Sequence, residues 1–107
     1  MFARNVAIHL KPNTLSEFTR TFNNEVLPIL RKQTGFQNEF AFSNSPTGMD
    51  VIAISLWDTK EHAEAYNATG YPEVLKSLNN VLDGAPRVQV SNVISSTLQQ
   101  TAAHAAA

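Results

Sequence analysis

Residues 49–57 form a run that is apolar on both of the faces a β-strand presents. Successive side chains of an extended chain point to opposite sides. One face of this run is Ile52, Ile54 and Leu56, and the other is Met49, Val51, Ala53 and Trp57. The helices of a short chain can cover one face of an antiparallel sheet, so the other must meet solvent, a ligand or a second subunit. That second face is a candidate site for binding or assembly.

The composition fits one compact domain with a single core. The chain has 107 residues, of which 43% are hydrophobic and 16% charged, and its formal net charge is −1. A chain of this size buries roughly 65% of its unfolded surface. Its lysines and arginines are spread along the sequence, without the cluster that binds phosphate backbones or anionic lipid. We expect neither nucleic acid nor a membrane as a partner.

The absence of cysteine narrows the chemistry. The sequence has no cysteine, which excludes disulfides, thiolate metal sites and iron–sulfur clusters. The three histidines, His9, His62 and His104, lack short ligand spacing, so we expect no metal site. The first residues lack the apolar core of a secretory signal, and no run reaches the roughly 18 apolar residues of a membrane span. These features predict a cytoplasmic protein.

Hydrophobic periodicity predicts four strands and two helices. Alternating apolar residues predict strands over residues 2–10, Phe36–Ser43, 49–57 and 88–94. Spacings of three and four predict a first helix from residue 15 to the turn before Gly35, and a second helix over residues 59–69. Phe36, Phe40 and Phe42 are expected on one face of their strand. We assign Phe22, Phe40 and Phe42 to the core.

Capping patterns predict where the two helices begin. Thr14 with Glu17, and Asp58 with Glu61, have the spacing of a capping box, which satisfies the first free amides of a helix.

Two prolines predict irregular helices. Pro28 lacks the amide that would bond the carbonyl of Asn24, so the first helix should kink or break there. The segment Gly70-Tyr71-Pro72 should interrupt the second helix, after which apolar residues at helical spacing resume at Val74.

The element order β-α-β-β-α-β is that of a ferredoxin-like unit, an α+β fold with a four-stranded antiparallel sheet and both helices on one face. Residues 1–98 are expected to form this domain, and residues 99–107 an alanine-rich flexible tail. Pairing the open sheet face with its copy about a twofold axis would bury it, which predicts a homodimer.

Two segments resemble a known family. Residues 54–66 read ISLWDTKEHAEAY and residues 30–36 read LRKQTGF. The glycine-phenylalanine that opens a strand, the strand-ending tryptophan and the acidic, alanine-containing helix after it resemble the antibiotic biosynthesis monooxygenase (ABM) domain family over about residues 2–98. The resemblance implies a dimeric α+β barrel. Members include cofactor-free oxygenases of quinol or anthrone rings, haem-degrading enzymes and proteins of unknown activity.

The haem-degrading branch of that family fits this sequence poorly. Its pattern has an asparagine on the first strand, which Asn5 matches, and a tryptophan and an iron-ligating histidine in the second helix. Tyr66 and Lys76 stand at those two positions. A lysine is charged at neutral pH and is a poor haem ligand, so we expect no haem. The resemblance to cofactor-free oxygenases implies that no other cofactor is needed. In quinol-oxidising relatives the position of Tyr66 is often histidine.

Asn5 and His9 are the candidate catalytic residues. They are four positions apart and therefore on the same side of the first strand. The amide of Asn5 can donate a hydrogen bond to an enolate oxygen, and His9 can act as a general base near neutral pH. The alternatives are an amide bonded within the sheet and an exposed histidine at a strand end.

Trp57, Tyr66 and Tyr71 are the candidate substrate-binding residues. An apolar pocket with a few polar tips suits a flat aromatic molecule. The alternative is that these rings pack in the core.

These observations predict a homodimeric, cofactor-free monooxygenase of an aromatic, quinol-like molecule bound between helices and sheet. Such an enzyme need only deprotonate its substrate, hold the anion and exclude water. The alternative is a non-catalytic dimer of the same fold that binds a small molecule or a partner. An open pocket lined by Asn5, Trp57 and Tyr66 would count against that alternative, whereas a filled interior would support it.

Overall fold

The predicted strands form one antiparallel sheet with the order β2-β3-β1-β4. A computed structural model describes residues 1–43 and 45–97, so the predicted tail at residues 99–107 lies outside the described residues. The strands are β1 (Phe2–His9), β2 (Phe36–Ser43), β3 (Asp50–Trp57) and β4 (Arg87–Asn92). The helices are α1 (Leu15–Thr21), a π-helical turn (Phe22–Val26), α2 (Leu27–Arg31) and α3 (Lys60–Leu78). The expected α+β ferredoxin-like fold is confirmed.

The helices cover one face of the sheet and leave the other open. On β3, the helix-facing residues Val51, Ala53, Ser55 and Trp57 are buried, and Ile52, Ile54 and Leu56 are on the opposite, open face. The two apolar faces predicted for this run are therefore confirmed. On β1, the side chains that face the helices are Phe2, Arg4, Val6 and Ile8.

The first helical stretch accommodates Pro28 by widening. The amide of Leu27 donates to the carbonyl of Phe22, five residues earlier, which is the hydrogen-bond pattern of a π-helical turn. Pro28 then occupies the first turn of α2, where its missing amide costs little. The expected local irregularity is confirmed, and its form is a π-helical turn.

The predicted interruption of the second helix is wrong, because α3 runs continuously through Gly70 and Pro72. Both sides of this segment pack on the same core, since Tyr66 and Val74 are buried. Ala68, whose carbonyl Pro72 cannot bond, is exposed, so water can satisfy that carbonyl. Tertiary packing therefore overrides the local helix-breaking signal.

Gly70→Ala is expected to lower the free energy of unfolding by about 1–3 kcal/mol, as overpacking does. A Cβ at this position would lie 2.7 Å from Tyr66 Cδ1 and 3.0 Å from Gln33 Nε2. In an uncrowded helix the same substitution gains about 1 kcal/mol. Urea unfolding measures the sign, with Ala68→Gly in the same helix as the control for helix propensity. A stabilised Gly70→Ala protein would contradict the predicted crowding.

Both predicted capping boxes are wrong in detail. The hydroxyl of Thr14 donates to the carbonyl of Lys11 and caps no amide of α1. At α3 the cap is Thr59, whose hydroxyl accepts from the amide of His62. Asp58 is engaged elsewhere, since its Oδ1 lies 2.6 Å from His62 Nδ1.

The assignment of Phe40 and Phe42 to the core is wrong, whereas that of Phe22 is confirmed. A bulge between Phe36 and Asn38 shifts the alternation along β2, so that Phe36 pairs with Trp57 on the helix side. Phe40 and Phe42 are on the open face, 44% and 50% exposed, with stacked rings 6.3 Å apart.

At the other edge of the sheet, the fourth strand ends at Asn92. The expected continuation through Ile94 is not observed, and this side chain is 95% exposed.

Among residues 1–43 and 45–97, none of the helices is both long enough and apolar enough to cross a membrane.

Candidate functional site

A small, partly open cavity, here called the inner cavity, lies between the sheet and the helices. Its volume is about 30 Å³. Aliphatic side chains from both layers form most of its wall, together with Arg4, Glu39, Ser55, Tyr66 and Tyr71. A single water molecule needs roughly 10–15 Å³, so a cavity of this size holds about one or two molecules as small as water. Side chains thus leave little space in this part of the interior, next to Tyr66 and Tyr71.

A larger depression, here called the outer cleft, opens between β2 and the segment from α1 to α2. Its volume is about 360 Å³, within the usual range of roughly 300–1,000 Å³ for small-molecule sites. It is lined by Leu15, Phe18, Thr19, Phe22, Asn23, Leu27, Glu39, Ala41, Phe42, Ser43 and Val51. Phe22 and Glu39 line both the outer cleft and the inner cavity, so they form a shared wall.

Arg4 supplies a buried positive charge at the inner cavity. It is 2% exposed, and its Nη2 donates to Asn67 Oδ1 at 2.9 Å. The guanidinium lies 5.0 Å from the centre of the Tyr66 ring and 4.4 Å from that of Tyr71. Burial lowers the pKa of Arg4, but an arginine keeps its proton in proteins. The aromatic faces partly compensate this charge by cation–π interaction.

Glu39 is the carboxylate in the shared wall. It lies on the helix side of β2, directly opposite Ser55 of β3, and is partly buried. Burial raises the pKa of Glu39 to about 8, against the opposing effect of the Arg4 charge. In the described parts of the chain, no carboxylate is within ion-pair distance of Arg4. Glu39 can therefore accept or release a proton near neutral pH.

The three predicted substrate-binding rings are close together, but only two line a cavity. Tyr66 and Tyr71 border the inner cavity, with their rings 6.1 Å apart. Trp57 is fully buried, stacks on Tyr66 at 4.9 Å, and donates from Nε1 to Ser55 Oγ at 2.8 Å. The ring of Trp57 therefore supports Tyr66 from behind.

Asn5 and His9 share a face of β1, as expected, but it is the face away from the helices. Asn5 pairs with Ile54 of β3 and Gln89 of β4. The ring of His9 is exposed, with Nδ1 2.9 Å from Asp50 Oδ1. The expectation that these two residues share one pocket with the three rings is wrong, because alternation along β1 points Arg4, Val6 and Ile8 at that pocket instead.

Sequence reasoning overlooked Arg4 and Glu39. Arg4 falls in the alternating series Phe2, Val6 and Ile8, and a charge in a buried series was a readable signal. Glu39 carried no such signal, because the bulge between Phe36 and Asn38 determines which face it occupies.

Among the described residues no group of three or more histidine, aspartate or glutamate side chains is placed to hold a metal ion.

The fold is shared with several solved structures. A candidate antibiotic biosynthesis monooxygenase from Bordetella bronchiseptica is 11% identical, with 88% of this chain and 97% of that chain covered and a TM-score of 0.75. SnoaB, a cofactor-independent oxygenase from Streptomyces nogalater, is 11% identical over 90% and 95%, with a TM-score of 0.74. The monooxygenase ActVA-Orf6 of Streptomyces coelicolor, in complex with nanaomycin D, is 18% identical over 89% and 88%, with a TM-score of 0.74.

At these identities the comparisons establish a common fold, and the resemblance to the ABM family is confirmed at that level. No protein-family model matches the chain, and no curated protein matches its sequence.

Proposed function

We propose that the chain is a cofactor-free monooxygenase of a quinol-like or anthrone-like aromatic molecule, which binds in the outer cleft. The carrying observation is the position of Glu39 in the wall shared by the outer cleft and the inner cavity, where its pKa is about 8. A carboxylate with this pKa is a far better base than an exposed one and is still ionised in part near neutral pH. Glu39 is the proposed general base.

The outer cleft suits a flat aromatic ring. Phe18 and Phe22 contribute tilted rings 5.4 Å apart on the helix side, and Ala41 of β2 leaves space opposite them. Thr19 and Asn23 supply polar groups at its rim that can bind phenolic oxygens.

The proposed reaction balances without a prosthetic group. Glu39 removes a proton from an activated CH₂ of the substrate, whose electron pair stays on the carbon. The carbanion gives one electron to dioxygen, and the radical and superoxide combine into a C–O bond. The peroxide takes up a proton, loses the second CH proton, and its O–O bond breaks to leave C=O and water. Arg4 lies at the inner cavity and stabilises the negative charge that the reduced oxygen acquires on that side of Glu39.

The structural neighbours support this proposal as analogies. SnoaB is described as a cofactor-independent oxygenase and ActVA-Orf6 as a monooxygenase. The net charge of −1 fits a protein with neither nucleic acid nor a membrane surface as a partner.

The direct test is oxygen uptake by metal-free protein with a panel of quinols and anthrones. The proposal predicts uptake that depends on the protein, together with a product that has gained one oxygen atom from labelled dioxygen. Binding of panel members without uptake would instead favour the second candidate, a non-catalytic binding module. A specific observation favours that candidate: the inner cavity, next to Tyr66 and Tyr71, is too small for an aromatic substrate.

The open sheet face is the proposed homodimer interface. It carries Phe40 and Phe42 of β2 beside Ile52 and Ile54 of β3, an apolar patch that monomers rarely leave in water. Asn5 is on this face, so it would lie near the proposed interface and would take no part in the reaction in the outer cleft.

Phe40→Glu is expected to convert a dimer of about twice 11.7 kDa into a monomer, because the carboxylate would be buried without a partner. Light scattering measures the mass. The matched control is Ile94→Glu, at an exposed apolar residue beyond β4, which should remain dimeric. A wild-type mass of 11.7 kDa would contradict the interface itself.

A further inference from the structure

We infer that the inner cavity is a subsite for dioxygen, while the aromatic substrate remains in the outer cleft. This inference rests on the proposed function for the identity of the gas, but the cavity can be tested without any reaction. Its volume of about 30 Å³ admits a diatomic molecule and excludes an aromatic ring. The two depressions therefore differ in the size of the molecule each can take.

The chemistry of the wall favours an apolar occupant over water. A buried water needs about two to four polar partners. Five polar side chains line the cavity, and two of them are already engaged, since Ser55 Oγ accepts from Trp57 and Arg4 Nη2 donates to Asn67. Glu39, Tyr66 and Tyr71 are the other three. The rest of the wall is mostly aliphatic, with Val26 and Val74 from the helices and Ala53 from the sheet. Wholly apolar cavities stay dry and bind gases such as xenon, and the aliphatic part of this wall offers a gas molecule similar surroundings.

The position of the cavity matches the need of the reaction. Glu39 lines both spaces, so a carbon that it deprotonates in the outer cleft would be separated from a gas molecule in the inner cavity by the width of this shared wall. When that carbanion gives an electron to dioxygen, the superoxide forms beside the buried guanidinium of Arg4. The charge that stabilises the reduced oxygen is thus in place before the electron moves.

Xenon is the first probe, used on wild-type crystals under pressure or in solution by ¹²⁹Xe NMR. The expected result is one xenon atom in the inner cavity. An ordered water in that cavity, or xenon bound only elsewhere, would overturn the inference. Xenon in the cavity of a protein that consumes no oxygen would support the gas site and refute the proposed function, so the two failures are distinguishable.

Substitutions on neighbouring strands separate the two subsites. Ala53 lines only the inner cavity, and Ala41, directly opposite it on β2, lines only the outer cleft. Ala53→Val should displace xenon and lower kcat/KM for dioxygen about tenfold, with the affinity for a non-reactive aromatic analogue unchanged. Ala41→Val should weaken binding of the aromatic analogue and leave xenon binding and kcat/KM for dioxygen unchanged. The assignment would be overturned if both variants weakened binding of the aromatic analogue equally and left the dioxygen kinetics unaltered. If Ala53→Val folds poorly, the xenon experiment on the wild type still tests the cavity.

Discussion

Glu39→Gln is expected to lower kcat/KM for the aromatic substrate by about 10²–10⁴-fold, the usual contribution of a positioned general base. Glutamine keeps the size and hydrogen-bonding shape of the side chain but cannot take a proton. Glu39 is the carboxylate in the wall between the outer cleft and the inner cavity, so substrate binding should change far less than the rate. Oxygen uptake with the best substrate of the panel measures the loss.

The pH dependence of the rate gives a second readout of Glu39. The base acts in its deprotonated form, so the wild-type rate should rise with pH through about 8, the pKa that burial confers on this carboxyl. The residual rate of Glu39→Gln should lack that rise. Glu61→Gln, at an exposed carboxylate of α3, is the matched control and should keep both rate and profile. Large losses in Asn5→Ala and His9→Ala with none in Glu39→Gln would move the reaction to the open sheet face.

The same substitution should alter stability in a pH window that follows from the raised pKa. Between the ordinary value of 4.5 and about 8, the unfolded chain releases a proton that the folded chain retains. Folding is therefore favoured below this window, and the stability of the wild type falls as the pH rises through it. The free energy of unfolding of Glu39→Gln minus that of the wild type should therefore be larger at pH 9 than at pH 4. Urea unfolding of both proteins at both pH values measures this difference.

Arg4→Met is expected to lower kcat by about 10²-fold or more, the scale for removing one preorganised charge from a developing anion. Methionine fills much of the same space between the Tyr66 and Tyr71 rings without the charge. Because the Arg4 charge opposes the rise in the pKa of Glu39, its loss should also move the alkaline rise of the pH profile above 8. A role confined to packing would leave that profile in place.

Arg4→Lys is the informative companion variant. A lysine restores the charge but not the planar group that stacks on two rings and donates to Asn67. The pH profile should return toward that of the wild type, whereas kcat should recover only in part. Arg20→Met, at an exposed arginine of α1, controls for the loss of one positive charge from the chain.

The sequence was sufficient for the architecture because the hydrophobic periods are strong. The two faces of β3 and the four strands follow from alternation, and the family resemblance points to the same fold. The continuity of α3 through Pro72 could not be read locally, since packing on both sides of it decides the outcome.

The site was less predictable than the fold. Tyr66 and Tyr71 were predicted as aromatic rings with polar tips that could line an apolar pocket, and both border the inner cavity. Asn5 and His9 were placed on a common face correctly, but which face the helices cover depends on the whole sheet. Glu39 lies on the helix side only because the bulge in β2 shifts the alternation of side chains by one residue. The sequence contains no signal for this bulge.

The π-helical turn has a geometric consequence for the spacing of the core. Phe18, Phe22, Val26 and Leu30 are all buried and follow one another at intervals of four residues. In a regular α-helix of 3.6 residues per turn, each such interval overshoots a full turn by about 40°, so the row would spiral away from the sheet. A π-helical turn holds more residues per turn and rotates the row back. The widened turn therefore keeps residues spaced by four on the face of the helix that packs on the sheet. The turn begins at Phe22, which with Glu39 forms the wall shared by the two cavities.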